Sequence, residues 1–456
     1  MIDLIRGASR ANPDAPAIVS SGGTVSYGQL LAQAEDIARG LHSRGITRAA
    51  CVVTHPPTLV AVMAAASAVG CETCAYAPLL PDAGIDELAE AFGHTVVLTD
   101  RDLQLSGAEA VLIKELPLAG GELASASSQA LLVLTTGTTA RPKAARHDWA
   151  RLMAPAQRRA TEADQRWLLA FNLNQFAGLQ VLLHVLASGA TLVVPDSIQP
   201  RDALAAMLEH DVTHLSATPT FWRFLVALLD NPEADRPTLR QATLGGEAAS
   251  AHLLDEVHRL FPDAKVSHIY ASTEVGSGVS VTDGLQGLPV SVLERSDESD
   301  VQFRIVEGQL EARSQVGMSS YYGVDADGGD DDDGWLPTGD LVEIVDGRIC
   351  FVGRSTETIN VGGVKVHPLS IENVVSAVPG VQLVHAYAKA NPVSGQIVSV
   401  DVVPMPAVDT DELEDAIRAA CEVLAPAAQP RRVRFVEQLD LKENKISRAS
   451  KKEPTG

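Results

Sequence analysis

The sequence is poor in cysteine, short of positive charge and free of long apolar runs, and each shortage removes a class of function. Its 456 residues include five scattered cysteines, Cys51, Cys71, Cys74, Cys350 and Cys421. Cys71 and Cys74 form a lone CxxC in Ala- and Val-rich surroundings, with no second pair or histidine cluster to complete four ligands. They read as buried structural thiols, not as a metal or redox centre. Lysine and arginine number 36 against 58 aspartates and glutamates, a net charge of −22 that argues against non-specific binding to nucleic acid or anionic membranes. Such a surface also repels nucleotides at long range, so any phosphate site must be a local basic pocket. No apolar run reaches the roughly 18 residues a membrane helix needs, and the first residues (MIDLIRGASRANPD) lack the shape of a signal peptide. No membrane insertion and a cytoplasmic location are therefore expected. Internal repeats of solenoid type are also missing.

What is present is a large globular chain, 46% apolar and long enough for two or three domains. Segments 27–41, 59–69, 178–186 and 200–209 carry helical patterns, and 51–53, 95–99, 191–194 and 214–217 read as short apolar strands between them. This alternation predicts an α/β architecture with a mostly parallel sheet and helices on both faces. After residue 284 the pattern changes. Segments 301–313 and 341–352 alternate apolar and polar residues around Glu307-Gly308 and Asp346-Gly347, as antiparallel hairpins do. The acidic run at 325–334 reads as a solvated loop, because consecutive carboxylates repel. The last hundred residues form a small α+β pattern, with helices at 371–377 and 410–424 and strands at 383–389, 397–403 and 432–436.

The segment 131–143 is the most informative. An apolar strand, Leu131 to Leu134, opens into Thr135, Thr136, Gly137, Thr138 and Thr139, with Lys143 at the end. Hydroxyl and amide donors around a glycine, closed by an ammonium, suit a polyphosphate. The spacing is not that of a Walker loop. Alone, the segment reads equally well as a polar surface loop.

Five further segments follow in order: TLGGE at 243–247, HIYASTE at 268–274, WLPTGD at 335–340, GRSTETINVGGVKVHP at 353–368 and ENKISR at 443–448. Together with the loop they resemble the adenylate-forming superfamily, which includes acyl- and aryl-CoA synthetases, peptide-synthetase adenylation domains and luciferases. The resemblance covers nearly the whole chain. It implies a large N-terminal AMP-binding domain (1–355) of mixed, mostly parallel sheets with a small β-barrel-like subdomain. A small mobile α+β C-terminal domain (356–456) follows.

The implied chemistry is activation of a carboxylate by ATP and Mg²⁺ as an acyl adenylate, with pyrophosphate as leaving group. Attack by a thiol of CoA, or of carrier-protein phosphopantetheine, then releases AMP. In this scheme Thr135, Thr136, Gly137, Thr138, Thr139 and Lys143 hold the β- and γ-phosphates. Gly245, Gly246 and Glu247 form one wall of the adenine pocket and Tyr270 stacks on the other side. Thr273 bonds the α-phosphate and Glu274 helps hold Mg²⁺, a hard cation suited to carboxylate oxygen. Asp340 takes the ribose hydroxyls with help from Arg354. Lys445 bridges α-phosphate and substrate carboxylate. Thr356 lies at the hinge about which the small domain rotates, withdrawing Lys445 and bringing Gly362 and Gly363 to the thiol channel.

Four positions depart from the family pattern. Ala140 replaces a loop glycine, at a cost on the order of 1 kcal/mol if that position needs positive φ. Asn444 precedes the lysine where glycine is usual, Thr356 lacks the customary charge, and Ala271 follows Tyr270. The acyl pocket is expected among Phe171, Gln175, Phe176, Gly178 and Ser267, although Phe171, Phe176 and Trp222 also fit plain core positions. No aspartate stands where an α-amine would bind, so an aryl or medium acyl acid is expected. CoA is the leading acceptor, an acyl carrier protein the alternative, and the enzyme is a monomer or homodimer. The competing readings are a variant that performs only thiol transfer and a nucleotide-binding module without catalysis.

Overall fold

The computed structural model describes residues 1–116, 130–135, 143–158, 162–230, 235–296, 298–323, 333–392, 394–442 and 445–446. Two sheets dominate the first 281 residues, an eight-stranded one and a seven-stranded one whose edge strand, Ser320–Tyr321, comes from later in the chain. In each, the central strands run parallel; antiparallel strands close both edges of the eight-stranded sheet and one edge of the seven-stranded sheet, whose other edge is the parallel strand Glu109–Leu112. The alternating pattern foretold the parallel centre. It missed the antiparallel strand Lys143–Asp148, which returns beside Ala130–Thr135, because its polar sequence KAARHD carries no strand signal.

Helices cover the sheets because their apolar faces need burial. Helix Tyr27–Ser43 starts in a capping box between Ser26 and Gln29. Helices Pro56–Val69 and Phe176–Ser188 are apolar nearly all round and lie inside the largest core. Both stop at a glycine in the left-handed region, Gly70 at φ 70° and Gly189 at φ 65°. The free cysteines Cys51, Cys71 and Cys74 are buried in this region; burial pushes the Cys71 thiol up to about 12. Among the described residues no group of three or more His, Cys, Asp or Glu is placed to hold a metal, and no helix is long and apolar enough to cross a membrane.

A third, five-stranded antiparallel sheet follows, ordered Leu288–Pro289, Arg348–Arg354, Leu336–Val345, Gln309–Ser314 and Val301–Val306. Its two tight turns fall where the sequence placed them, at Glu307-Gly308 (φ 50° and 79°) and Asp346-Gly347 (φ 48° and 75°). A fourth sheet is built around Gly395–Pro404, which pairs with Ile359–Val361, Val381–Asn391 and Arg432–Phe435, and the strand pair Leu441–Lys442/Lys445–Ile446 follows it. Helices Pro368–Ser376 and Thr410–Ala420 cover it, and its apolar residues form a core of their own.

Candidate active site

One end of the site is built by sheet register. Asp340 and Arg354 stand opposite each other on neighbouring antiparallel strands. The Arg354 Nε donates to Asp340 Oδ1 at 3.1 Å. From the eight-stranded sheet, Tyr270 donates its hydroxyl to Asp340 Oδ2 at 2.7 Å. Both carboxylate oxygens are thereby engaged. The Tyr270 ring lies parallel to Phe351 (5.1 Å, 18°) and edge-on to Phe303 (5.8 Å, 67°). Close approach here needs glycine at 278, since a Cβ would meet the Tyr270 carbonyl oxygen at 2.6 Å. Burial, then the Asp340 charge, push the Tyr270 phenol well above its ordinary value. Burial pulls the Arg354 guanidinium down, but Asp340 and Glu357 more than offset it.

The other end carries separated charges. Thr135 and Lys143 face each other across the strand pair, with Thr135 Oγ1 donating to the Lys143 carbonyl at 3.5 Å. The chain between them holds Thr136, Gly137, Thr138, Thr139 and Ala140, which lie outside the described residues, as does Asn444. The Lys143 ammonium sits 5.0 Å above the centre of the Tyr321 ring. The Tyr321 hydroxyl donates to Glu274 Oε1 at 2.8 Å. Burial, then the Glu274 charge, push that phenol up. Tyr321 was not among the residues the sequence singled out. The available signal was a tandem pair, Tyr321-Tyr322, in a chain with six tyrosines.

Lys445 reaches this cleft from the C-terminal region. Its Nζ lies 3.1 Å from where a Cβ on Gly246 would sit, and Gly246 itself is at φ +82°. A side chain at 246 would crowd the ammonium and take up a strained backbone conformation. Gly245 packs in register with Ile269 on the adjoining strand. Glu247 is engaged elsewhere: its Oε2 accepts from the Thr220 backbone N–H at 3.0 Å, in the first turn of helix Pro219–Leu229. Gly362 and Gly363 are not brought to the cleft with Lys445. They form the exposed tip of the hairpin Ile359–Val361/Val364–Val366, with nothing among the described residues within 4 Å of either Cβ position. Thr356 lies exposed in the short turn Ser355–Glu357, two residues beyond Arg354.

The expected acyl residues are given packing work. Phe171 and Phe176 belong to the main core, at 4% and 7% exposure. Gly178 is forced by space, because a Cβ would fall 2.2 Å from the Asn172 carbonyl oxygen. Gln175 lines a cavity of about 10 Å³ with Leu131, Leu173 and Leu179, which has room for one water at most. Ser267 and Thr243 share a buried hydroxyl contact of 2.9 Å, and the Trp222 indole donates to the Thr243 carbonyl. One side chain joins Phe176 to the Thr273 turn. His147 is 1% exposed, stacks on Phe176 at 5.6 Å and lies beside the backbone of Thr273. Among the described residues neither ring nitrogen has a hydrogen-bond partner of good geometry. Burial pulls this imidazole down to about 4, so it is neutral near pH 7.

The family model described as AMP-binding enzyme matches residues 5–322, and that of the AMP-binding enzyme C-terminal domain matches 370–445. A feruloyl-CoA synthase of an Amycolatopsis species is 26% identical over 473 residues, covering 94% of each chain. An anthranilate CoA ligase solved with anthranoyl-AMP superposes with a TM-score of 0.84 at 17% identity, covering 98% of this chain and 95% of that one. The o-succinylbenzoate CoA synthetase of Bacillus subtilis, solved with its acyl-adenylate intermediate, gives a TM-score of 0.77 at 22% identity, with 97% and 96% covered.

Proposed function

The chain belongs to the AMP-binding enzyme family, and from that premise we propose that it converts a carboxylic acid to its acyl adenylate and then to a thioester of CoA. The observation that carries this reading is the approach of Lys445, from the C-terminal region, to Gly246, at the end of the strand paired with the one that carries Tyr270. An aromatic acid is favoured as substrate, because relatives are named for feruloyl, 2-succinylbenzoate and anthranilate groups.

The roles follow from charge and shape. A carboxylate is a weak electrophile and needs a leaving group. It attacks the α-phosphorus of ATP, pyrophosphate departs, and a mixed anhydride with AMP remains. Asp340 accepts from the vicinal ribose hydroxyls, and Arg354 and Tyr270 fix its orientation. Gly246 presents bare backbone to the base. Lys445 neutralises charge where α-phosphate and carboxylate meet, and Thr273 donates there. Thr135 and Lys143, with Thr136, Gly137, Thr138 and Thr139, grip the departing pyrophosphate. The single carboxylate of Glu274 fits Mg²⁺, which takes one or two protein carboxylates and completes its shell with phosphate oxygens and water. When bound there, the ion would supply charge neutralisation for the polyphosphate. The thiol of CoA attacks the acyl carbon and AMP leaves. For that step the small domain, 356–456, turns about Thr356, exchanging Lys445 for the hairpin tip Gly362-Gly363, which now stands away from the cleft.

The test is ATP–pyrophosphate exchange across a panel of aryl and acyl acids, with thioester formation followed on free CoA and on a holo-carrier protein. Exchange with an aryl acid and turnover on free CoA are expected. Lys445→Ala should lower exchange about 100- to 1,000-fold, while thioester formation from synthetic acyl adenylate persists. Exchange unaffected by that substitution refutes the role of Lys445. A silent panel with activity on the synthetic adenylate selects the thiol-transfer variant, and turnover on the carrier alone replaces CoA as acceptor.

A further inference from the structure

We propose that Tyr321 is a positioning residue that holds the Glu274 carboxylate and the Lys143 ammonium apart, so that both stay available to metal-bound polyphosphate; this rests on the adenylating reading above. Glu274 and Lys143 come from different sheets and carry opposite charges. With nothing between them, Coulomb attraction would draw them into a direct ion pair. The phenol interposes two weaker contacts, a hydrogen bond to the carboxylate at 2.8 Å and a ring face toward the ammonium at 5.0 Å. A cation over a ring face keeps its N–H donors free for a ligand. A carboxylate with one oxygen held by a hydroxyl is oriented but still charged. The arrangement orders the anionic and cationic halves of the phosphate end without neutralising either.

The backbone, not the ring, fixes where this phenol stands. Tyr321 pairs with Ala145 on the strand that begins at Lys143. Ser319 N–H donates to the Arg146 carbonyl at 2.7 Å and Tyr322 N–H to the Ala144 carbonyl at 2.8 Å. Met318 N–H donates to the Glu274 carbonyl at 3.0 Å, tying the same segment to the carboxylate's own backbone. Tyr322 faces the other way, under the Arg48 guanidinium at 4.8 Å, and accepts from its Nη1 at 3.3 Å. Segment 318–322 is therefore bolted to both the lysine strand and the glutamate turn. Changing the Tyr321 side chain leaves these bonds in place, and the variants should fold.

The experiment compares the full-length protein with Tyr321→Phe and Tyr321→Leu. It measures Mn²⁺ binding to the protein–ATP mixture by electron paramagnetic resonance, metal-free ATP binding by calorimetry, the Mg²⁺ midpoint of pyrophosphate exchange, and the melting temperature. Tyr321→Phe should leave melting and metal-free ATP binding unchanged and raise the metal midpoint roughly tenfold, the usual cost of losing a hydrogen-bond partner to a metal ligand. Tyr321→Leu should also weaken metal-free ATP binding, as Lys143 closes onto Glu274. Adding Glu274→Gln to Tyr321→Leu should restore that binding, because the lysine then has no anion to close on. A Tyr321→Phe protein with the wild-type metal midpoint overturns the proposal, as does a Tyr321→Leu protein altered only in melting. If metal–ATP binds in a Tyr321-sensitive way but no acid supports exchange, the adenylating reading fails and this inference stands. If exchange proceeds and ignores Tyr321, the inference alone fails.

Discussion

The two ends of the cleft are built by opposite strategies. At the Asp340 end both carboxylate oxygens already have partners: Tyr270 and Arg354 occupy them, and Phe351 backs the phenol. At the Lys143–Glu274 end the charges are held in readiness, with one hydroxyl and one ring face between them. On the roles proposed above, the difference follows from the chemistry each end would serve. A ribose is neutral, and recognising it needs fixed directions, which a preformed network provides. A polyphosphate brings its own charge and leaves during the reaction, so groups that bind it must not be neutralised beforehand.

That contrast can be broken most directly by paired truncations. Asp340→Ala should raise the KM for ATP about 10- to 100-fold, from lost charge-assisted hydrogen bonds. It should also destabilise the protein by about 1–3 kcal/mol, because the half-buried Tyr270 hydroxyl loses its carboxylate acceptor. Lys143→Ala should also raise that KM, yet shift stability by less than about 0.5 kcal/mol, as an exposed side chain does. Steady-state kinetics with thermal melts check both. Equal stability losses would erase the distinction between the ends.

Acid should act next, through His147 behind Thr273. Its imidazole has an ordinary value of 6.5 and is pulled by burial to about 4. Between those values the unfolded chain binds a proton that the native protein refuses, so stability falls as pH drops from 6.5 toward 4. The loss for one such histidine reaches about 3 kcal/mol. His94 and His214 are shifted the same way by burial and add to the slope. Denaturation midpoints between pH 7 and 4.5 should fall steeply in the wild type and less steeply in His147→Gln. An unchanged slope would assign the acid response to the other two. The smallest effect belongs to Tyr270→Phe. It keeps the stack on Phe351 and loses one hydrogen bond, for about 1 kcal/mol of stability.

Much of this was legible in the chain. Hairpin turns at Glu307-Gly308 and Asp346-Gly347 follow from local φ requirements, and the parallel sheets follow from a repeated helix–strand alternation. The family resemblance placed Asp340, Arg354, Tyr270, Lys143 and Glu274 in one scheme. Other expected site residues carry structural contacts as well. Phe171, Phe176 and Gly178 have the composition of a pocket lining, but only packing shows that they fill the core and a backbone turn. Glu247 reads as part of a base-binding wall and is engaged by a helix N-terminus.

The sequence by itself determined which charged groups exist and in what order, because motif spacing and hydrophobic period are local properties of the chain. It could not say which of them touch. Tyr321 meets Lys143 and Glu274, and His147 meets Phe176 and Thr273, contacts that join four stretches far apart in the chain. Such contacts depend on how independent sheets stack, which is a balance of burial and packing summed over the whole core. The tertiary structure alone decided that Lys445 stands over Gly246 while Gly362 and Gly363 point to solvent, because that choice belongs to how one unit docks on another and leaves no local mark in either.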